Sequence, residues 1–401
     1  MRIPLMLSLA WLVASVGVRA AAPVVTNVRA SQRVGTQLVD IYYNVSAATS
    51  TVKVSVQVSA DGGASYNVPA TTFTGAYGAG VTTGNDRLLT WNAGLDWGGQ
   101  FSTACRVRVL ADDGTAPPVP PGMAYIPAGS FQMGDNFYEG STAELPVHNV
   151  FVSAFFIDKN LVSRETWLDV YTWAVGNGYA FNFPGSFTGN GYPVHSINWH
   201  DAVKWCNARS QKEGLTPCYY TDAAQGTVFR ADNVILTNAC VKWTANGYRL
   251  PTEAEWEKAA RGARVGNRFP WGDTITHSQA NYFSVASYSY DVSPTRNYHP
   301  TYGGATSPVG TFAANGYGLF DMTGNLFEWC WDWYDDAFYG RPEATNDPRG
   351  PAGMTVNNNR MLRGGASTYD VRSQRCATRF DLVLSPNTAV NQIGFRSARG
   401  L

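Results

Sequence analysis

The sequence predicts a small all-β sandwich followed by a larger region in which a few helices are separated by turns and short strands, with little regular secondary structure. Three observations lead to this prediction. Short alternating runs of polar and apolar residues occupy residues 22–114, a proline-rich linker covers residues 115–121, and only three convincing helices follow in residues 122–401. The 40 glycines and an aromatic content of 13% suit a fold that is rich in loops and turns.

The N-terminus is predicted to be a secretory signal peptide, residues 1–20. One arginine precedes an apolar run over about residues 4–18, and small residues follow it. The run is short for a membrane span, and no later stretch approaches the roughly 18 apolar residues that a span requires. We therefore expect an exported protein (periplasmic, cell-surface or secreted) without a transmembrane segment, whose mature chain begins within residues 21–23.

Residues 22–114 have the pattern of an antiparallel β-sandwich of the immunoglobulin or fibronectin kind. Runs such as "TVKVSVQVSA" and "CRVRVLADDG" alternate with turn sequences such as "ADGGAS". No acid–base or metal-binding constellation accompanies these strands, so a spacer or adhesion role is predicted. The segment "TAPPVPPG" that follows has four prolines in eight residues, which favours an extended, semi-rigid linker.

Three helices are predicted in the larger region. Ser163 is the expected N-cap of the first helix, and the second spans about residues 200–212. The third lies in "LPTEAEWEKAARG", where Thr252 and Glu255 form a capping box and Gly262 ends the helix.

Charge does not favour nucleic acid or an anionic membrane as a partner. The 30 Lys and Arg residues are balanced by 30 Asp and Glu residues. The chain therefore offers no bulk electrostatic attraction to phosphate groups, and no nucleic-acid partner is expected.

Six motifs occur in order in the larger region: "MAYIPAGSFQMG", "GYRLPTEAEWEKAARG", "RFPWGD", "ANGYGLFDMTGNLFEWCWDWY", "RMLRGGAS" and "GFRSAR". Over about residues 122–399, this series closely resembles the formylglycine-generating enzymes, or sulfatase-modifying factors. The resemblance implies a C-type-lectin-like α+β fold that is often stabilised by calcium. It also implies an oxidase that converts a sulfatase cysteine to formylglycine, using two cysteines that bind copper and activate oxygen.

The copper-binding cysteine pair that the resemblance implies is missing from this sequence. In the oxygen-dependent enzymes both cysteines follow the Gly-Gly motif, in an interval that here reads "ASTYDVRSQR". Tyr369 occupies the first cysteine position and Val371 the second, while Ala366 replaces the serine of active members. Neither tyrosine nor valine offers the soft thiolate that copper(I) requires. We therefore expect no copper centre.

Calcium is the cofactor that the resemblance predicts. Ca²⁺ binds carboxylate, amide and carbonyl oxygens on tight loops. The resemblance assigns Asn325 and Glu328 of "GNLFEW" to one site, and Asn281 with the carbonyl of Tyr282 to another. At the Asn281 site an expected aspartate is replaced by Thr301. The alternative is that these residues only cap local turns.

Two disulfides are predicted among the six cysteines, because an exported chain permits them. Cys218 and Cys240 bracket an excursion of the chain that has the pattern of an inserted hairpin. Cys330 and Cys376 lie in motifs that the resemblance brings to a central groove. Cys206 is expected to stay free, because a serine occupies the position of its family partner.

Three functions remain open: a protein-modifying oxidase, a non-catalytic member that binds a protein or glycan, and a structural component of a cell-surface assembly. The missing cysteine pair favours the second. The resemblance also implies that some relatives with this fold diversify the stretch between "RGG" and "GFR", which changes the ligand that they bind. The predicted binding groove is lined by residues 366–382, with Trp329 at its floor. Its predicted contact residues are types that often dominate recognition surfaces: Tyr369, Arg372, Arg379 and Phe380.

Overall fold

The computed structural model describes residues 23–60, 62, 68–114, 118–355, 358–380 and 384–401. The predicted signal peptide lies outside the described residues. The chain divides into two compact units, Met1–Pro117 and Pro118–Leu401, and this division falls within the proline-rich segment. Within the described ranges, no helix is both long enough and apolar enough to cross a membrane.

The first unit is an antiparallel β-sandwich. Its strands are β1 (Val24–Gln32), β2 (Leu38–Ser46), β3 (Thr51–Ser59), β4 (Phe73–Gly75), β5 (Gly78–Thr82), β6 (Gly84–Asn92) and β7 (Arg106–Asp112), with a short helix α1 (Ala93–Asp96). One sheet has the order β1-β2-β6-β4 and the other β5-β3-β7. Alternate residues of the central strands, such as Ile41, Val54 and Leu89, form the core between the sheets.

The described part of the second unit combines three α-helices with short strands. These are β8 (Met123–Ile126), β9 (Gly129–Met133), β10 (His148–Val152), β11 (Phe155–Asp158), α2 (Arg164–Gly176), α3 (Trp199–Lys212), β12 (Tyr248–Arg249), α4 (Glu253–Arg261), β13 (Phe327–Trp333), β14 (Arg360–Arg363), β15 (Ile393–Gly394) and β16 (Ala398–Gly400). They form the sheets β12-β16-β11-β8, β14-β13-β15 and β10-β9. The few helices among many short strands and long loops confirm the predicted α+β class.

The predicted ends of α2 and α4 are confirmed by their capping geometry. Ser163 caps α2 by accepting a hydrogen bond from the Thr166 amide. Thr252 and Glu255 form the reciprocal capping box of α4. Gly262 ends α4 in the left-handed region, with φ of 56°, a conformation that glycine adopts without steric cost.

Helix α3 begins one residue earlier than predicted. The side chain of Asn198 accepts a hydrogen bond of 2.8 Å from the Asp201 amide, which places the N-cap at Asn198 and the first helical residue at Trp199. The prediction started from the apolar pattern and overlooked this cap.

The acidic residues of helix α4 bind arginines, one just before the helix and others from distant parts of the chain. All nine residues of α4 are buried. Glu255 binds Arg249 through two hydrogen bonds of 2.6 Å, and Glu253 and Glu257 bind arginines of the C-terminal segment. Because a buried carboxylate is costly unless it is paired, α4 fixes the positions of those arginines.

Candidate functional site

The segment that follows the Gly-Gly pair is anchored at its start by Arg363. The Arg363 guanidinium has no solvent exposure. It donates to the Glu257 carboxylate and to the backbone carbonyl of Cys376, the latter at 2.9 Å. Burial alone would raise the pKa of Glu257, but the charges of Arg261 and Arg363 outweigh burial and lower it. Glu257 is therefore a carboxylate that holds the segment in place.

The same segment is anchored at its far end by two more buried ion pairs. Arg379 binds Glu253 with hydrogen bonds of 2.8 and 3.1 Å, and Arg375 binds Glu144 at 2.8 and 3.0 Å. Arg379 is only 4% exposed. The prediction that Arg379 contacts a ligand is therefore wrong, because the Arg379 guanidinium is buried and binds the Glu253 carboxylate.

The two family cysteine positions lie in different environments. Val371 is fully buried in an apolar cluster that includes Phe269 and Tyr282. Tyr369 is half-buried, with its ring 5.2 Å from the ring of Phe380 in an edge-on arrangement. An aliphatic group and a phenol at these positions do not fit copper(I).

Cys376, the cysteine within this segment, is not a reactive thiol. It is 1% exposed, and its amide donates a hydrogen bond of 2.7 Å to the Arg268 carbonyl. Burial raises the pKa of its thiol to about 12. A protonated thiol is a poor nucleophile and a poor metal ligand, so Cys376 acts here as a small apolar core residue.

None of the six cysteines forms a disulfide, which corrects the predicted Cys218–Cys240 pair. Tyr219 pairs with Val241 in an antiparallel bridge, so the two cysteines lie diagonally across it. Diagonal neighbours are about 7–8 Å apart, whereas the Cβ atoms of a disulfide are about 3.5–4.5 Å apart. Backbone pairing thus joins the two ends of the segment between Cys218 and Cys240 without a disulfide bond.

The predicted Cys330–Cys376 disulfide is also absent. Both thiols pack into one buried apolar cluster, and burial raises the pKa of Cys330 well above its usual value. The guanidinium of Arg363, which binds the Cys376 carbonyl, carries a charge that acts on both thiols. Both cysteines are free and buried, and each packs as a small apolar side chain. Cys206 is likewise a free, buried thiol.

The predicted calcium residues Asn325 and Glu328 have their side-chain oxygens engaged. Asn325 exchanges two hydrogen bonds with the backbone of Ser307, at 3.0 and 3.1 Å. Glu328 binds Arg396 through both oxygens, at 2.7 and 2.9 Å, and neither side chain is exposed. This pair therefore does not by itself supply the free oxygens that Ca²⁺ requires.

The other predicted calcium residue, Asn281, does retain a free oxygen. Its Nδ2 donates to the Ala305 carbonyl at 2.9 Å, while its buried Oδ1 makes no hydrogen bond to the residues that the structure describes. The carbonyl of Tyr282 lies 3.2 Å from Nε2 of His277. The Asn325 amide donates to the Asn281 carbonyl at 2.9 Å, which brings the two predicted calcium sites together.

Asp321, which is not among the residues predicted from the sequence, also has one side-chain oxygen without a hydrogen-bond partner among the described residues. Its Oδ2 accepts a hydrogen bond of 2.8 Å from the Gly310 amide, and its buried Oδ1 makes no hydrogen bond among the described residues. Burial, together with the charge of Glu328, raises the pKa of Asp321 to about 6. The available signal was an aspartate four residues before Asn325 in a glycine-containing turn. Asn281 and Asp321 thus each keep one buried side-chain oxygen without a hydrogen-bond partner among the described residues.

Trp329, predicted to form the floor of the groove, is instead a core residue. It has no solvent exposure, and its indole donates to the Ile197 carbonyl at 3.3 Å. Among the other predicted contact residues, Arg372 is exposed and Tyr369 and Phe380 are half-buried. The structure therefore retains three of the five predicted groove residues at the surface.

Two further aromatic residues lie beside Tyr369. The Phe283 amide donates to the Tyr369 carbonyl at 3.0 Å, and the Phe283 ring packs edge-on against Tyr298 at 4.9 Å. Tyr298 is 46% exposed. We name Tyr369, Phe380, Phe283 and Tyr298 the aromatic surface. The sequence separates Phe283 from Tyr369 by more than eighty residues, so only the fold brings them together.

Comparison with known proteins defines the class to which this chain belongs. Residues 111–401 match the sulfatase-modifying factor enzyme 1-like domain, and the protein is a member of that family. It is 32% identical over 305 residues to the formylglycine-generating enzyme of Thermomonospora curvata, a match that covers 69% of this chain and 93% of that enzyme. The family predicted from the six motifs is confirmed.

Two other relatives have different names. Chaperone protein LppX of Paenibacillus barcinonensis is 33% identical over 220 residues, which is 53% of this chain and 71% of LppX. The solved structure of Treponema denticola variable protein 1 is similar with a TM-score of 0.52 and 31% identity, over 69% of this chain and 94% of that one. This likeness supports the predicted fold.

Proposed function

We propose that this protein is a non-catalytic member of the sulfatase-modifying factor family that binds a protein or glycan ligand at the aromatic surface. One observation carries the proposal: the positions of the two family cysteines hold a buried valine and a half-exposed tyrosine. The copper-binding thiols have no counterpart there, while the surrounding loops remain anchored by buried ion pairs. The loops around the two family cysteine positions therefore still form a structured surface, without the residues that the oxidase chemistry requires.

The chemistry of the aromatic surface suits recognition. Tyr369 and Phe380 each combine a large apolar ring with partial exposure, and such side chains gain affinity at little entropic cost. Arg372, exposed on the same segment, adds a planar cation that binds carboxylates or stacks on rings. Two relatives that carry the names chaperone and variable protein, rather than oxidase, are consistent with a binding role.

Replacing Tyr369 with alanine is expected to weaken ligand binding by about 30-fold, because a central aromatic contact is worth about 2 kcal/mol. The wild-type chain is first screened on glycan and peptide arrays, and the best ligand is then titrated by calorimetry. Tyr138→Ala, which removes a 75% exposed tyrosine elsewhere in the same unit, is the matched control and should bind normally. Unchanged affinity in a folded Tyr369→Ala variant would remove the aromatic surface as the binding site.

We also propose that calcium stabilises the second unit through Asn281 and Asp321. A calcium concentration about 100 times the dissociation constant is expected to stabilise the wild type by about 2.7 kcal/mol relative to chelator. Asp321→Asn should lose most of this response in thermal melts. Asp169→Asn, at a surface carboxylate that is 69% exposed, should keep it. Identical melting of the wild type in calcium and in chelator would show that there is no such site.

A further inference from the structure

Strand β7 is an edge strand of the first unit. It is the last strand in the order β5-β3-β7, and in the described part of this unit it pairs with β3 alone. Seven consecutive residue pairs, from Lys53 with Asp112 to Ser59 with Arg106, join the two strands without a register shift. Edge strands are usually protected by a bulge, a proline or charged side chains. Strand β7 has neither a bulge nor a proline, and its charged residues are Arg106, Arg108 and Asp112.

The sandwich core is also open along this side. A cavity of about 430 Å³ is lined by Val28 and Ala30 of β1 and by Val107 of β7. Val28 is 38% exposed and Phe101, which also lines the cavity, is 85% exposed. Exposed apolar side chains around an open cavity favour coverage by another chain.

The sequence of β7, Arg-Val-Arg-Val-Leu-Ala-Asp, is complementary to itself in the antiparallel direction. With Val109 on a two-fold axis, Arg106 of each copy lies opposite Asp112 of the other, and both residues are exposed. Val107 likewise lies opposite Ala111, and both pack against the core. Parallel pairing in register would instead oppose like charges, which is unfavourable.

We propose that β7 pairs antiparallel with β7 of a second copy of this chain, about a two-fold axis at Val109. The two three-stranded sheets then become one six-stranded sheet, and the interface is isologous. The symmetry repeats each Arg106–Asp112 pair, so the dimer contains two of them. This inference concerns the first unit and does not depend on ligand binding by the second.

Sedimentation velocity of the full chain tests this proposal, over concentrations of about 1–100 µM, which bracket the affinity of a modest interface. The wild type is expected to show a monomer–dimer equilibrium. Arg106→Asp should weaken dimerisation by on the order of tenfold, because two favourable charge pairs become repulsive. The double variant Arg106→Asp/Asp112→Arg restores opposite charges in swapped positions and should recover the dimer; it is made together with Lys53→Ser, because Lys53 of β3 lies opposite position 112.

Arg29→Asp is the matched control, since it makes the same charge change at an exposed arginine of β1 and should leave the dimer unchanged. Circular dichroism establishes that every variant is folded. A wild type that stays monomeric would overturn the proposal. A dimer unaffected by Arg106→Asp, or a double variant that fails to recover, would overturn it as well.

Discussion

Replacing Glu328 with alanine is expected to lower the free energy of unfolding of the second unit by about 3–5 kcal/mol. Glu328 and Arg396 are both fully buried and joined by two hydrogen bonds. Without Glu328, the Arg396 guanidinium stays in the interior with only backbone carbonyls, such as that of Phe320, as partners. Urea unfolding followed by tryptophan fluorescence measures this loss.

The loss should be the same in calcium and in chelator, because both oxygens of Glu328 are already occupied by Arg396. The double variant Glu328→Ala/Arg396→Met should recover much of the stability, since it removes the uncompensated charge. A loss that occurs only in calcium buffer would contradict this account and would identify Glu328 as a metal ligand.

Replacing Arg379 with alanine is expected to cost a similar 3–5 kcal/mol, because Glu253 would lose its bidentate partner in the interior. The nearest remaining guanidinium is that of Arg363, at 3.8 Å. Arg372→Ala, at the exposed arginine of the same segment, is the matched control and should change stability by no more than about 0.5 kcal/mol. Chemical denaturation of both variants measures the difference.

An Arg379→Ala variant that keeps wild-type stability but loses ligand would contradict this assignment. It would return Arg379 to the binding surface. The outcome we expect separates two roles within one short segment. Arg379 holds the loop in place from the interior, and Tyr369 presents an aromatic ring to solvent.

The helix ends were predictable from the sequence, whereas the burial of arginines was not. A capping box such as Thr252 with Glu255 involves neighbouring residues, and local chemistry decides it. The pair of Arg379 and Glu253 joins residues 126 positions apart. In the sequence alone, an arginine in a polar segment has the pattern of a recognition residue. Only the fold shows that a buried carboxylate lies beside it.

Trp329 illustrates a second limit of sequence reasoning. All seven residues of β13 are buried, so both faces of this strand, which is the middle strand of the sheet β14-β13-β15, are covered by other parts of the protein. A strand covered on both faces shows no alternation, so its pattern does not reveal which side chains face a groove.

Register explains the incorrect disulfide prediction. The sequence indicated that the ends of the excursion at Cys218 and Cys240 meet, and the bridge between Tyr219 and Val241 confirms that they do. Whether two cysteines lie directly opposite or diagonally depends on a shift of two residues, which spacing along the chain does not specify.

The central claim is that this family member binds rather than oxidises. The most direct test is an oxygen-dependent conversion assay on a peptide with the Cys-X-Pro-X-Arg motif, with copper(I) supplied. The Thermomonospora curvata enzyme serves as the positive control, and mass spectrometry and oxygen uptake are the readouts. We expect no formylglycine and no oxygen consumption from this chain. Conversion of the peptide cysteine to formylglycine by the wild-type chain would contradict the account.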